Sequence, residues 1–310
     1  MNAASEEWQV EGHAIPVSHL EKAFWPEAGF TKGDMLRYYL QISPVALPHF
    51  RDRPVTLRVF PEGASGASFY QRERPSYAPS WIAGEVYHPR TGGSGTKTPR
   101  AITTPLINDA ASLIWLANGG CVEFHLWSAR APHLDLPDQA IFDLDPGENV
   151  PFSRVLEAAL RLREHLERQG IVSYAKTSGG RGLHVYVPLA PVHTYLDVRQ
   201  WVNATAQRLA ADHPTLVAVA HGSTHRGDHV TIDYAQNSIG RNTAAPYTIR
   251  AGASAPRVST PLSWEEIAAG SIRPDDLTPD VALERVQRYG DLFAPALLAN
   301  QRLPAAGGAL

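Results

Sequence analysis

Short acidic side chains and histidines occupy alternate positions in four apolar segments of the sequence. Asp143 and Asp145 alternate with apolar residues, and the segments that contain His184 and Asp233 repeat the arrangement. Successive residues of a β-strand point to opposite faces, so each segment, interpreted as a strand, has one apolar and one polar face. A half-solvated sheet is the alternative, but its polar face usually carries Lys. None of the four segments contains Lys: 121–127, 141–145, 183–187 and 229–234.

Carboxylates at this spacing can hold divalent cations. Asp143 and Asp145 lie about 6 to 7 Å apart along an extended strand, so both can reach one hard cation. With Asp233 as a third carboxylate, the set suits two-metal catalysis. In that chemistry one ion activates an attacking hydroxyl, and the other holds the phosphates and the leaving oxygen.

A glycine-rich segment, 178–184, could bind the substrate of such a site. Its glycines let backbone N–H groups approach phosphate oxygens, and Ser178, Arg181 and His184 add donors and charge. A plain hairpin turn between two strands is the alternative interpretation.

Composition excludes several classes of protein. The chain has 310 residues with 28 Lys plus Arg against 31 Asp plus Glu, a net charge of −3, which excludes a histone-like chain. With 44% hydrophobic residues it can bury a core. Its one cysteine, Cys121, cannot form an intrachain disulfide, and no apolar run approaches a membrane span. We therefore expect a cytoplasmic protein with no membrane contact.

The elements that position these residues alternate between helices and strands. Thr31 and Asp34 form a capping box that predicts a helix start, and Asp109 predicts the start of a helix that stops at Gly119. Further helices are predicted at 155–166 and 198–209, with strands at 55–60, 171–176 and the four segments above, and an exposed loop or loose hairpin at 90–104. Short links between strands predict an α+β fold whose central sheets are mixed or antiparallel and flanked by helices.

We expect one catalytic domain at residues 1–296. An N-terminal α/β part at about 1–120 would pack as one unit with a catalytic sheet at about 121–296. Residues 297–310, rich in Ala and Gly, are expected to form a loose C-terminal tail.

The order of the motifs resembles a known superfamily. Asp143-Leu-Asp145, Ser178-x-x-x-Gly182-x-His184 and Asp233 resemble, in this order, the three motifs of the archaeo-eukaryotic primase superfamily. More narrowly, segments 142–148, 176–184 and 233–237 are similar to the polymerase domain of bacterial ATP-dependent DNA ligase D and its free-standing relatives. The resemblance runs from about residue 20 to 293 and implies a primase-like fold.

The resemblance also implies roles for individual residues. Asp143, Asp145 and Asp233 would hold two Mn²⁺ or Mg²⁺ ions, and Arg226 would lie on a mobile loop that swings toward them. Lys22 and Lys32 would bind a DNA 5′-phosphate, although the residues alone also allow ordinary solvated charges. The remaining assignments concern the nucleotide: Ser178, His184 and Arg250 on the triphosphate, Arg181 in place of a family lysine, His125 in the pocket, and Phe69 and Tyr70 as a stacking pair. His125 could equally be a buried histidine with satisfied hydrogen bonds. Loop 90–104 matches a family loop that helps bring broken ends together.

The implied function is a template-dependent nucleotidyltransferase that extends 3′-hydroxyl ends at gaps or double-strand breaks with NTPs or dNTPs, in non-homologous end joining. Gapped or broken DNA, preferably 5′-phosphorylated, would be the substrate, with Ku and an ATP-dependent DNA ligase as partners. The resemblance thus implies a nucleoid-associated location within the cytoplasm. One alternative is a non-catalytic DNA-end-binding module of the same fold. A second is a haloacid-dehalogenase-type phosphatase, which would need Thr or Val where Gly147 stands.

Overall fold

A computed structural model describes residues 5–89, 100–220, 227–298 and 300–304. The helices are α1 Lys32–Phe50, α2 Ala110–Asn118, α3 Phe152–Glu167, α4 Tyr195–Asp212, α5 Trp264–Ala269 and α6 Pro279–Tyr289. Short 3₁₀ helices lie at Pro26–Ala28, Tyr234–Asn237, Pro274–Asp276 and Ala294–Leu297. The strands are β1 Ser5–Val10, β2 His13–Ser18, β3 Ala23–Trp25, β4 Phe30–Thr31, β5 Val55–Val59, β6 Phe69–Gln71, β7 Gly84–Tyr87, β8 Ile102–Pro105, β9 Cys121–Leu126, β10 Gln139–Pro146, β11 Tyr174–Thr177, β12 Leu183–Pro188, β13 Val217–Ala220, β14 Val230–Asp233, β15 Thr243–Ala244, β16 Ile249–Arg250, β17 Arg257–Val258 and β18 Pro261–Leu262.

A six-stranded sheet carries most of the predicted motifs. Its order is β13-β14-β10-β12-β11-β18, and every neighbouring pair is antiparallel except β13 with β14. The apolar residues of β10 and β12, such as Phe142, Leu144 and Val185, join a core with Leu162 of α3 and Val202 of α4. The predicted α+β fold with a mixed, largely antiparallel central sheet is therefore confirmed.

A second sheet of four antiparallel strands has the order β15-β9-β5-β6. Leu57 of β5 and Phe124 of β9 pack in one core with Met35 of α1 and Leu113 of α2. The sequence predicts that β9 belongs to the catalytic sheet at about 121–296, but its partners place it in this second sheet. The sheet to which β9 belongs depends on its pairing with β5, a strand distant in the sequence, and local sequence patterns do not reveal such a pairing.

Local signals position the helices that support the two sheets. The Thr31 hydroxyl accepts a hydrogen bond from the Asp34 N–H, and the Asp34 carboxylate accepts one from the Thr31 N–H, which is the predicted capping box of α1. Asp109 accepts from the Ser112 N–H at the start of α2. These contacts satisfy backbone N–H groups that have no partner within the helix.

The structure differs from the sequence prediction at the C-terminal tail. Gln301 forms a parallel bridge with Leu189, and its side chain bonds the Val172 N–H and carbonyl and the Pro188 carbonyl. The Leu303 N–H bonds His193. Residues 300–304 are thus docked on the chain, because their polar groups pair with the end of β12, and the expectation of a loose tail is corrected for them.

Part of the predicted 90–104 loop forms strand β8, which pairs with β7 as a hairpin. Residues 90–99, including Lys97, lie outside the described residues. Within the part of the chain that the structure describes, no helix combines the length and apolar character required to cross a membrane.

Candidate active site

A row of polar residues crosses four neighbouring strands of the six-stranded sheet. Asp143 of β10 is paired with Asp233 of β14 on one side and with His184 of β12 on the other. His184 is in turn paired with Lys176 of β11. Directly opposed residues of antiparallel strands share a face and have Cα atoms about 4.5 to 5.5 Å apart. Asp145, two residues along β10, also lies on this face. The strand register therefore aligns the three predicted aspartates on one face of the sheet.

This polar face borders a cavity of about 650 Å³ between the two sheets. The lining includes Asp143, Asp145 and His184 from the six-stranded sheet, and Thr56, Tyr70, His125, Thr243 and Ala244 from the four-stranded sheet. The remaining lining residues are Arg72, Ser178, Gly180, Arg181, Gln236, Gly240, Arg241, Asn242 and Arg250. All residues of β9 and β12 are buried, so the alternative of a half-solvated sheet is wrong for these strands.

The aspartates contact neighbouring polar groups of the cavity floor. His184 Nε2 lies 3.3 Å from Asp143 Oδ1, and the Gln236 amide lies 3.4 Å from Asp143 Oδ2. Asp233 Oδ1 accepts a hydrogen bond of 2.8 Å from the Ala235 N–H. Two carboxylates about 5 Å apart repel by roughly 3 kcal/mol at an effective dielectric near 20. A cation between such carboxylates replaces this repulsion by attraction.

The donor chemistry of this face suits a hard cation, because carboxylate oxygens are the ligands that Mg²⁺ and Mn²⁺ prefer. Among residues 5–89, 100–220, 227–298 and 300–304, however, no group of three or more His, Cys, Asp or Glu side chains is already arranged as a metal site. The register brings the aspartates to one face, and metal binding would require their carboxylates to turn toward a common point.

Ser178 organises the glycine-rich turn between β11 and β12. Its hydroxyl accepts hydrogen bonds from the N–H groups of Gly180 and Gly182, at 3.1 and 3.2 Å. A Cβ at position 182 would lie 2.6 Å from the Leu144 carbonyl oxygen and 3.0 Å from Asp145 Oδ1, so only Gly fits there. The turn therefore packs directly against the strand that carries the aspartates.

Arg181 ties the same turn to the loop that follows β10. Its guanidinium donates to the carbonyls of Gly147 and Glu148 at 3.0 and 2.7 Å, while its side chain also lines the cavity. The structure thus places Arg181 at the predicted site and gives it a second contact, with the backbone, that sequence reasoning did not anticipate.

Glu123, which sequence reasoning left out of the site, is a fully buried carboxylate beside the cavity. It accepts hydrogen bonds from Arg58 and Arg250, both at 3.1 Å, from the Ala251 N–H at 2.9 Å and from His125 at 3.0 Å. Burial opposes its charge, but the His125 hydrogen bond and the charge of Arg250 outweigh this and lower the pKa of Glu123 to about 2. Glu123 therefore stays charged and fixes three cationic or polar side chains.

His125 is both a residue of the pocket and a buried histidine with a hydrogen-bond partner, which are the two interpretations that its sequence allowed. It is 6% exposed, it bonds Glu123, and it lines the cavity. Burial lowers the pKa of His125, although the hydrogen bond to Glu123 opposes this shift. The lowered pKa favours the neutral ring. Glu123 is two residues from His125 on β9, so both side chains lie on the same face of the strand. This spacing is the sequence signal that could have identified Glu123.

The structure separates the two predicted stacking aromatics. Tyr70 lines the cavity, and its ring centroid lies 5.8 Å from that of His125 and 5.5 Å from the Arg58 guanidinium carbon. Both rings are half exposed or more, but Phe69, the neighbour of Tyr70 on β6, is not among the lining residues. Adjacent strand residues point to opposite faces, which accounts for the difference.

Lys22 and Lys32 line a second cavity of about 200 Å³, with His19, Phe24, Pro61, Asn118, Gly119 and Gly120. Lys32 Nζ donates to the Ser18 carbonyl and to Asn118 Oδ1 at 2.7 and 2.8 Å. Lys22 Nζ bonds the Pro61 carbonyl and Glu62. Burial and the charge of Lys22 lower the pKa of Lys32 to about 8. The alternative of ordinary solvated charges is wrong for Lys32, which is 5% exposed.

Comparison with known proteins identifies the family. The family model for the LigD primase-polymerase domain matches residues 31–293. The chain belongs to the LigD primase-polymerase family. It is 34% identical to the multifunctional non-homologous end joining protein LigD of Mycolicibacterium smegmatis, over 94% of this chain and 37% of that protein. It is 30% identical to the bifunctional LigD of Bacillus subtilis, over 92% of this chain and 45% of that protein. The chain thus spans less than half the length of these LigD relatives.

The fold agrees with this family. The polymerase domain of Mycobacterium tuberculosis ligase D, solved in complex with DNA, superposes with a TM-score of 0.84 at 30% identity. The match covers 93% of this chain and 99% of that chain. The chain has an archaeo-eukaryotic primase fold, and the resemblance inferred from the motifs is confirmed. The alternative of a haloacid-dehalogenase-type phosphatase is excluded, because the family and fold are different.

The sequence motifs identify only part of the residues that line the 650 Å³ cavity. Arg226 lies outside the described residues, so its predicted role stays a prediction. Sequence reasoning missed lining residues that lie in loops or on strands without a motif: Thr56, Arg72, Arg241 and Asn242. Gln236, in the 3₁₀ helix Tyr234–Asn237, was also missed, although it lies within the quoted 233–237 segment.

Proposed function

We propose that this member of the LigD primase-polymerase family is a template-dependent nucleotidyltransferase. It would extend 3′-hydroxyl ends at gaps or double-strand breaks in DNA, using NTPs or dNTPs, as part of non-homologous end joining. The observation that supports this best is the row Asp233–Asp143–His184, in which Asp143 and His184 line one cavity together with Asp145 and Arg250, and Asp233 lies directly beside Asp143. This combination of acidic and basic side chains supports the binding of divalent cations and a nucleotide triphosphate in the same cavity.

Asp143, Asp145 and Asp233 would hold two divalent cations, Mn²⁺ or Mg²⁺, for which their oxygen donors are suited. Bound there, such ions supply charge for the phosphates and lower the pKa of an attacking hydroxyl. Asp233, at the end of β14, would help to accept the proton of the primer 3′-hydroxyl. The deprotonated oxygen then attacks the α-phosphorus, and pyrophosphate leaves with the electrons of the broken P–O bond.

The other lining residues would bind and orient the nucleotide. Arg250, held by Glu123 and by the Ser178 carbonyl at 2.5 Å, would neutralise phosphate charge, together with Arg72 and Arg241. The Ser178 turn would contribute backbone N–H groups and His184 a side-chain donor. Tyr70 would stack on a base, since base stacking on an aromatic ring tolerates different bases.

The relatives support DNA as a partner of this chain. The names of the LigD relatives state a role in non-homologous end joining, and the M. tuberculosis domain was solved with DNA. We propose that this chain acts on 5′-phosphorylated gaps or ends, with the phosphate bound in the Lys22 and Lys32 cavity. Ku and an ATP-dependent DNA ligase would act with it on the same break.

An extension assay on gapped, 5′-phosphorylated DNA tests this function. We expect incorporation that requires Mn²⁺ or Mg²⁺, follows the template base and stops when EDTA is added. Parallel reactions with NTPs and dNTPs would define the sugar preference, and DNA with a blocked 3′ end is the control. Normal binding of DNA ends without incorporation, with either metal and either nucleotide, would contradict the proposal and indicate a DNA-end-binding module.

A further inference from the structure

Lys176 lies directly beneath the cavity floor and is completely buried. It is on β11, at the position paired with His184 of β12, and it is not among the residues that line the cavity. A buried lysine needs a specific reason, because burial of a charged amine without partners is costly. The proposed chemistry does not use Lys176.

The partners of Lys176 determine the direction of each hydrogen bond. Its Nζ lies 2.6 Å from Ser259 Oγ, 3.0 Å from His184 Nδ1 and 3.4 Å from the Thr177 carbonyl. The Ser259 hydroxyl donates its own proton to the Thr177 carbonyl at 2.7 Å, so it can only accept from Lys176. In its charged form Lys176 is an ammonium group, which has three N–H donors and no acceptor. His184 Nδ1 is therefore an acceptor as well.

An imidazole whose Nδ1 accepts a hydrogen bond carries its proton on Nε2. His184 Nε2 is the ring atom that faces Asp143 Oδ1, at 3.3 Å, on the cavity side. From this geometry we propose that Lys176 is a positioning residue: it fixes His184 as the Nε2–H tautomer, so that the ring offers a hydrogen-bond donor to the bound nucleotide. This inference rests on the proposed function only for the identity of the ligand.

The arrangement does not depend on the charge of Lys176. Burial, followed by the charge of Arg250, lowers the pKa of Lys176 well below its ordinary value. A neutral amine keeps two N–H groups, which are enough for Ser259 and His184, but it also has a lone pair that can accept from a protonated Nδ1. The Asp143 carboxylate, which faces Nε2 at 3.3 Å, can only accept and therefore favours the Nε2–H ring, in which Nδ1 accepts from either form of Lys176.

The proposal is tested by determining the ring tautomer of His184 by NMR in the full chain, without nucleotide or metal. Long-range ¹H–¹⁵N correlation spectra of protein labelled with ¹⁵N-histidine distinguish the two ring tautomers, and His184→Gln assigns the signal. We expect the Nε2–H pattern in the wild type and a mixture of tautomers in Lys176→Met. Ser259→Ala is the matched control, because it removes a partner of Lys176 and leaves the donor to His184 in place; it should keep the Nε2–H pattern.

A protonated Nδ1 in the wild type would overturn the proposal, as would an unchanged pattern in Lys176→Met. If Lys176→Met fails to fold, the wild-type spectrum still decides between the two tautomers. In the extension assay we expect Lys176→Met to raise the KM of the nucleotide about tenfold, as loss of one oriented donor implies. A wild-type chain that does not extend DNA would contradict the proposed function while leaving the tautomer result intact.

Discussion

Asp143 and Asp233 lie directly opposite each other on β10 and β14, although they are far apart in the sequence. Directly opposed residues share a face of the sheet, so this pairing brings two acidic side chains to one side of a rigid scaffold. Asp145 extends the acidic face along β10, and His184 borders it on β12. The register of three strands, rather than any loop, sets the positions of the acidic residues.

Removal of the β10 carboxylates should abolish extension. We expect Asp143→Ala with Asp145→Ala to reduce incorporation at least about a thousandfold, equivalent to about 4 kcal/mol of transition-state stabilisation. Binding of Mn²⁺, followed by electron paramagnetic resonance, should be lost in parallel. Asp135→Asn removes an exposed carboxylate and should leave both measurements unchanged. Full extension by the double variant would exclude the proposed mechanism.

The lysine cavity should act on the downstream end of a gap. Lys22→Ala with Lys32→Ala should remove the preference for a 5′-phosphorylated gap, while extension of an open primer continues, because only the phosphate contact is lost. The ratio of rates on gaps with and without the phosphate measures this. Arg161→Ala with Arg163→Ala, on the outer part of α3, removes the same charge and should leave the ratio intact. An equal loss on both substrates would show that the lysines do not form the phosphate pocket.

The preference for a 5′-phosphorylated gap should also depend on pH. Burial and the charge of Lys22 lower the pKa of Lys32 to about 8, so without a bound phosphate Lys32 is charged at pH 7 and loses its charge as the pH rises above 8. A bound phosphate shifts this loss of charge to higher pH. The rate ratio should therefore fall as the pH rises from 7 toward 9.5. His19 and Lys22 line the same cavity, so Lys32→Gln is needed as the reference and should give a flatter profile. A wild-type ratio that stays constant to pH 9.5 would refute this assignment.

Glu123→Gln should destabilise the fold and weaken nucleotide binding, because Arg58 and Arg250 lose a buried anionic partner. The pKa of Glu123 falls from an ordinary 4.5 to about 2, which corresponds to about 3 kcal/mol of stability. A lowered folded-state pKa contributes stability that is complete above pH 4.5 and is lost as the pH falls toward 2.

Urea unfolding of wild type and Glu123→Gln should therefore differ by about 3 kcal/mol from pH 7 to pH 5, and by less below pH 4.5. Glu164→Gln, at an exposed helix position, should change the free energy of unfolding by no more than about 0.5 kcal/mol. A difference that does not vary with pH would contradict the role of the Glu123 charge.

Tyr70 and Phe69 should behave differently. Tyr70→Ala removes a ring that lines the cavity and should weaken nucleotide binding by about 1 to 3 kcal/mol, whereas Tyr70→Phe keeps the ring and should remain near the wild type. Phe69→Ala should affect the KM of the nucleotide much less. A larger effect of Phe69→Ala would mean that β6 presents its other face to the nucleotide.

Features encoded locally could be predicted from the sequence. The capping box of Thr31 and Asp34, the alternation in β10 and β12 and the helical spacing of α3 depend on residues a few positions apart, and the structure contains all three elements. The ends of elements were less accurate: the strand predicted at 171–176 begins at Tyr174, because the Ile171 N–H still bonds the Leu166 carbonyl at the end of α3.

Features that depend on long-range contacts could not be predicted from local patterns. The place of β9 in the second sheet, the burial of Lys176 and the docking of Gln301 each require partners that are distant in the sequence. Glu123 looked like one polar position in an alternating strand, and only the approach of Arg58 and Arg250 makes it central.

The contacts of Glu123 constrain how this site can evolve. One carboxylate joins β5, β9 and β16 through Arg58, His125 and Arg250. A change at Glu123 leaves the other three without their anionic partner, and a change at any one of those three leaves the buried Glu123 carboxylate with fewer donors. Their mutational effects should therefore be strongly non-additive, and natural sequences should exchange the four residues together or keep them all.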